Sequence, residues 1–119
     1  MIKLIAFRYA WKGLLFFIGR ERHAALHLFI SMLTLVLGLI LNLKTWEWII
    51  IFLCLAMVIS MEIINSSIER LTDIISPQRS ATAGAVKDLG AAAVLVSSFF
   101  AAIVGLIIFV PKFYDFLNF

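Results

Sequence analysis

Three apolar runs dominate this chain. They lie roughly at Ala24–Leu43, Trp46–Ile64 and Leu89–Val110. About 20 apolar residues suffice for a helix to cross a bilayer. A lipid interior offers no hydrogen-bond partners to the backbone, so each run is predicted to be a transmembrane helix. Composition agrees: 64% of the 119 residues are hydrophobic and 14% are charged. A soluble domain is roughly half apolar and about a quarter charged. The length suits one domain covering residues 1–119.

The links constrain how the spans run. Asn42–Thr45 is so short that the first two spans must form an antiparallel hairpin. The second link, Asn65–Asp88, opens with residues that contain no helix breaker. Ser76-Pro77 should end that helix, because the residue before proline is pushed out of the helical region. Ser80 or Thr82 can cap the next one. Residues 1–22 mix bulky apolar groups with scattered bases and show no cleavable signal pattern. That order predicts an amphipathic helix lying in the headgroup layer.

Lys3, Arg8, Lys12, Arg20 and Arg22 precede the first span, and Arg70, Arg79 and Lys87 lie in the long link. The positive-inside rule makes that side cytosolic. The N-terminus is then inside and the C-terminus at Phe119 outside, with Trp46 and Trp48 at the outer interface. The net charge of +3 therefore reads as basic loops on a membrane, and nothing points to nucleic acid. Cys54 is the one cysteine and cannot form an internal disulfide; it reads as a packing residue.

The candidate chemistry is concentrated between Glu62 and Asp73. At 100° per residue, Glu62, Asn65, Ser66, Glu69 and Asp73 share one helical face. A carboxylate at membrane depth costs about 2.5–3.5 kcal/mol at the centre and less towards the interface. Three acids on one face also repel each other. A divalent cation relieves both problems, and oxygen ligands suit Mg²⁺. Taken singly, Glu69 or Asp73 reads as a solvated surface acid; the stripe as a whole does not. Lys87-Asp88 before the third span and Glu21 before the first add charges to the same cytosolic mouth. Acids that hold a metal and bases that meet phosphates suit a metal–nucleotide complex. No GxxxxGK[ST] loop or protein-kinase glycine loop is present, so any phosphoryl transfer uses another scaffold. His23 and His27 stand four residues apart but outside any HExxH motif, and read as headgroup contact or packing rather than zinc ligands. A small transporter would also be short, helical and acidic; it would normally carry its acid near mid-membrane, whereas these acids gather at one face.

The run Glu62-Ile63-Ile64-Asn65-Ser66-Ser67-Ile68-Glu69, followed by Asp73 and then Lys87-Asp88, resembles the signature of the prokaryotic diacylglycerol kinase family, which includes undecaprenol kinases. Asp73 and Asp88 keep that family's interval. Tyr9-Ala10-Trp11-Lys12-Gly13-Leu14, Arg20-Glu21-Arg22 and Gly90-Ala91-Ala92-Ala93-Val94 extend the resemblance over nearly the whole chain. Ser67 and the Arg22-His23 pair depart from common family patterns. The resemblance implies a homotrimer in the bacterial inner membrane, with one surface helix and three transmembrane helices per subunit. It also implies ATP, Mg²⁺ and a lipid alcohol as the acceptor. Glu62 then matches the general base, and Glu21 and Glu69 the metal-binding glutamates. Asn65, Lys87 and Asp88 match further active-site groups, and Tyr9 and Asp73 match positions near the nucleotide. Active sites shared between subunits are implied as well. The segments Glu47–Phe52 and Gly105–Lys112 look more like the undecaprenol branch, whereas Tyr9–Gly13 looks like the diacylglycerol branch.

Overall fold

The computed structural model describes residues 1–118, whose regular secondary structure is all α-helix; Phe119 lies outside the described residues. Four helices follow in order: α1 (Ile2–Arg20), α2 (Ala24–Ile40), α3 (Thr45–Ile75) and α4 (Ala81–Leu117). By length and composition, α3 and α4 are each able to cross a membrane. With 31 and 37 residues, they run about 46 and 55 Å at 1.5 Å per residue. Both outreach a hydrocarbon core of about 30 Å. The helix expected to continue beyond Ile64 does so, and it ends at Ile75 with Ser76 as the cap before Pro77. α2 has 17 residues, at the lower limit for a span, and stops three residues short of the expected boundary at Leu43. α1 meets α2 at 98° across the break at Glu21–His23.

The hairpin between α2 and α3 is built by a Schellman turn. The N–H of Leu43 donates to the Gly38 carbonyl at 3.2 Å, and that of Asn42 donates to the Leu39 carbonyl at 3.4 Å. This closure needs a left-handed residue after the helix cap, and Asn42 supplies it with φ 54°. Trp48 and Leu43 close over Gly38, where a Cβ would stand 2.6 Å from the indole, so the turn admits no larger residue. At the other end, the Ser80 hydroxyl accepts from the Ala83 N–H at 3.1 Å, one of the two caps expected for α4. Pro111 sits inside α4 without ending it.

The burial pattern inverts that of a soluble protein. Among the described residues, the buried hydrophobic side chains are Phe17, Ala24, Leu41, Leu43, Ile51 and Ile108, while large apolar side chains cover the outside of every helix. Glu47, Glu62, Asn65, Ser66, Thr72 and Ser97 are equally buried. Lipid is as apolar as leucine, so hydrophobic side chains gain little by turning inward, whereas polar ones gain a great deal. The dominant helix pair is α3 with α4, and its interior positions are mostly small or polar. α1 buries only Phe17 and leaves both its apolar and its basic groups exposed.

Candidate active site

One helical face of α3 supplies the centre of the site. Glu62, Asn65, Ser66 and Thr72 are turned inward and buried, whereas Glu69 and Asp73, further along the same face, are exposed. Seven residues separate Glu62 from Glu69, which is about 10 Å along the axis. The stripe therefore passes from a buried carboxylate to carboxylates in contact with water. Thr72 belongs to the buried face too, and its hydroxyl donates to the Ile68 carbonyl at 2.7 Å, which leaves no free polar hydrogen.

Asn65 is the most constrained of these groups. Its amide nitrogen donates to Glu69 at 3.4 Å. Its Oδ1 is buried without a hydrogen-bond partner. A buried acceptor left unpaired costs about 1–3 kcal/mol, so the position asks for a ligand. The close approach of α4 covers this oxygen: a Cβ on Gly90 would stand 2.4 Å from Asn65 Oδ1. Glycine is thus required where α4 crosses Asn65. The sequence contains Gly90, but nothing in its spacing reveals which side chain it accommodates.

Glu62 faces His27 of α2, with 3.6 Å between His27 Nε2 and Glu62 Oε2. That gap is too wide for a direct hydrogen bond. His27 is thereby drawn into the site. Asp73 on α3 and Lys87 on α4 form a short ion pair in which Nζ donates to Oδ1. The pair ties the two helices together at the exposed end of the stripe. Asp88 and Tyr9 are exposed. Tyr9 carries the Lys12 ammonium over its ring at 5.6 Å and lies on α1, away from the α3–α4 pair.

Glu21 lies in the break between α1 and α2, where Arg70 of α3 engages it at 2.7 Å. The same guanidinium rests 4.5 Å from the centre of the Phe16 ring on α1. Arg70 therefore clasps the end of α1, the break and α3 together, directly beside Glu69 in sequence. Sequence reasoning missed both Arg70 and His27, because their partners lie far away along the chain.

The carboxylates of Glu21 and Glu69 have the hard oxygen chemistry that Mg²⁺ accepts. Among the described residues, no three His, Cys, Asp or Glu side chains converge as a ready-made metal cradle. A nucleotide's own phosphates and water would have to complete the shell, which is how Mg²⁺ is usually bound.

A profile of the family described as prokaryotic diacylglycerol kinase matches residues 8–109. An undecaprenol kinase of Bacillus subtilis (strain 168) is 35% identical over 107 residues, covering 90% of this chain and 87% of that relative. A diacylglycerol kinase of Synechocystis sp. (strain ATCC 27184 / PCC 6803 / Kazusa) is 28% identical over 109 residues, covering 91% of this chain but 62% of that longer relative.

Proposed function

The chain belongs to the prokaryotic diacylglycerol kinase family, and on that premise we propose that this membrane lipid kinase transfers the γ-phosphate of ATP to the hydroxyl of undecaprenol. The observation that carries the mechanism is the division of one α3 face into a buried carboxylate, Glu62, and exposed carboxylates, Glu69 and Asp73. A lipid alcohol reaches the site from the apolar side and ATP from the watery side. The two substrates meet across the stripe.

In this reading Glu62 is the general base. The acceptor hydroxyl gives its proton to Glu62 as its oxygen bonds to the γ-phosphorus. The bond from that phosphorus to the bridging oxygen breaks, and ADP leaves. Phosphoryl transfer depends mainly on positioning and charge neutralisation. Asn65 holds its amide at the meeting point, fixed by Glu69 and Gly90. Lys87 meets phosphate charge, and Asp73 positions its ammonium. Asp88 and Tyr9 flank the nucleotide. Glu21 and Glu69 are the side chains that would hold Mg²⁺, which when bound neutralises phosphate charge. Arg70 then keeps Glu21 beside α3.

The same reading makes α1 an amphipathic surface helix and α2, α3 and α4 the three spans, as the sharp α1–α2 break suits. The end carrying Glu62–Asp88 faces the cytosol of a bacterial inner-membrane protein, and the C-terminus lies outside. A homotrimer with shared sites belongs to the same reading, and in it the exposed Tyr9 would serve a neighbouring subunit's site. Undecaprenol is preferred as the acceptor because the 35% identical relative is an undecaprenol kinase. Diacylglycerol is the second reading, supported by the 28% identical relative.

Incubation of the pure protein with labelled ATP and a panel of lipid alcohols tests the proposal. Label should appear fastest in undecaprenyl phosphate. Faster labelling of diacylglycerol would assign the other substrate, and label in no lipid would refute the reading.

A further inference from the structure

A cavity of about 390 Å³ opens between α2, α3 and α4 inside the membrane-spanning region. Ile30 and Thr34 on α2, Cys54 and Val58 on α3, and Ala102 and Gly105 on α4 line it. Its walls are almost wholly apolar. Where hydroxyls occur on α2, they are already satisfied: Ser31 donates to the His27 carbonyl at 2.7 Å, and Thr34 to the Ile30 carbonyl at 2.8 Å. The lining has one imidazole, that of His27, which also stands 3.6 Å from Glu62. The cavity and the proposed base therefore communicate through this side chain.

The 3.6 Å gap is informative. It excludes a direct hydrogen bond, yet both atoms can reach one shared oxygen at about 2.8 Å each. An alcohol oxygen placed there donates its hydrogen to Glu62 Oε2 and accepts one from the N–H of His27 at Nε2. We propose that this cavity holds the first part of the acceptor lipid's chain, and that His27 is an acceptor-binding residue that grips the lipid hydroxyl together with Glu62. The inference rests on the lipid kinase reading and adds where the acceptor lies and what orients it. The occupant is a lipid because the cavity is mostly apolar, is set among spans, and reaches His27, which stands beside the group that must take a hydroxyl proton. His27 does not take the proton; it fixes the lone pairs of the oxygen so that one points towards the phosphorus.

The test uses the full chain in mixed micelles, with long-chain undecaprenol and a short-chain alcohol as acceptors. Wild-type turnover is read first, because failure to phosphorylate any lipid refutes the lipid kinase reading rather than this site. With an active wild type, His27→Ala should raise the lipid KM or lower kcat/KM for lipid about tenfold or more and leave the KM for ATP unchanged, as loss of one hydrogen bond to the acceptor requires. His27→Gln, which keeps a donor, should recover part of the loss. Gly105 lines the cavity and a Cβ there meets nothing within 4 Å, so Gly105→Leu projects a side chain into that space. It should slow undecaprenol more than the short-chain alcohol. Unchanged lipid kinetics in Gly105→Leu overturns the proposal, even if His27→Ala fails to fold. So does a His27→Ala enzyme with normal lipid kinetics. A change in oligomeric state of Gly105→Leu by light scattering, with lipid kinetics intact, would assign the cavity to a second copy of the chain and also overturn it.

Discussion

The two ends of the α3–α4 pair handle charge in opposite ways. At the hairpin end, Glu47 is buried and fully answered. It accepts from the Lys44 N–H at 2.8 Å and pairs with Lys112 of α4 at 3.1 Å. Lys112 reaches on to the Asn42 carbonyl at 3.4 Å, which closes the turn, α3 and α4 into one neutral knot. At the stripe end, Glu62 is just as buried, but among the described residues its one basic partner is an imidazole across a gap. Asn65 Oδ1 has no partner, and among the described residues Glu69 forms no ion pair. One end therefore spends its charges on structure. The stripe end pairs its exposed Asp73 with Lys87 and Glu21 with Arg70, yet keeps buried polar groups unsatisfied at a cost, which suits a site for external ligands.

This contrast sets the size of mutational effects. The largest should come from Glu69→Gln or Glu21→Gln, which keep shape and remove charge. Lipid phosphorylation should fall by orders of magnitude, while folding and oligomeric state by size-exclusion chromatography persist. Near-normal turnover in Glu69→Gln would sink the metal assignment. Next comes Gly90→Ala. Its methyl must displace Asn65, so activity should drop together with about 1–3 kcal/mol of stability, the usual cost of overpacking. Thermal unfolding in detergent, read beside turnover, checks both. Lys112→Met should do the reverse: a stability loss of about 1–3 kcal/mol from leaving Glu47 underpaired, with turnover below the melting point nearly unchanged. Lost activity there, with folding intact, would break the proposed division of labour. The smallest effect belongs to Ser80→Ala, which removes the α4 cap and should cost about 1 kcal/mol of stability with wild-type kinetics.

Much of this contrast was legible in the sequence, for reasons of local physics. Period and length fix helices wherever lipid forbids other backbone states, so α3, α4 and the tight hairpin could be read directly. The Ser76-Pro77 stop and the Ser80 cap are single-residue chemistry, and both appear where expected. The helical face shared by Glu62, Asn65 and Ser66 follows from 100° per residue alone, and all three are buried together. What could not be read were contacts between distant segments. Glu21 with Arg70, His27 with Glu62 and Gly90 with Asn65 each depend on how helices cross, and no spacing rule reports that. Glu47 with Lys112 was invisible for the same reason; Glu47 reads in sequence as no more than a residue near the start of a span. The family resemblance nominated candidate site residues one by one, yet only the fold distinguishes a buried acid held by a cation from a buried acid kept open.

That distinction can be measured at Glu62 itself, with Mg·ATP binding and lipid phosphorylation recorded separately on the same Glu62→Gln preparation. The general-base account predicts nucleotide affinity close to wild type and a phosphorylation rate lowered about 10²–10⁴-fold. Loss of binding and rate together would make Glu62 a metal-binding or structural residue, and an unchanged rate would show that Glu62 is not the base.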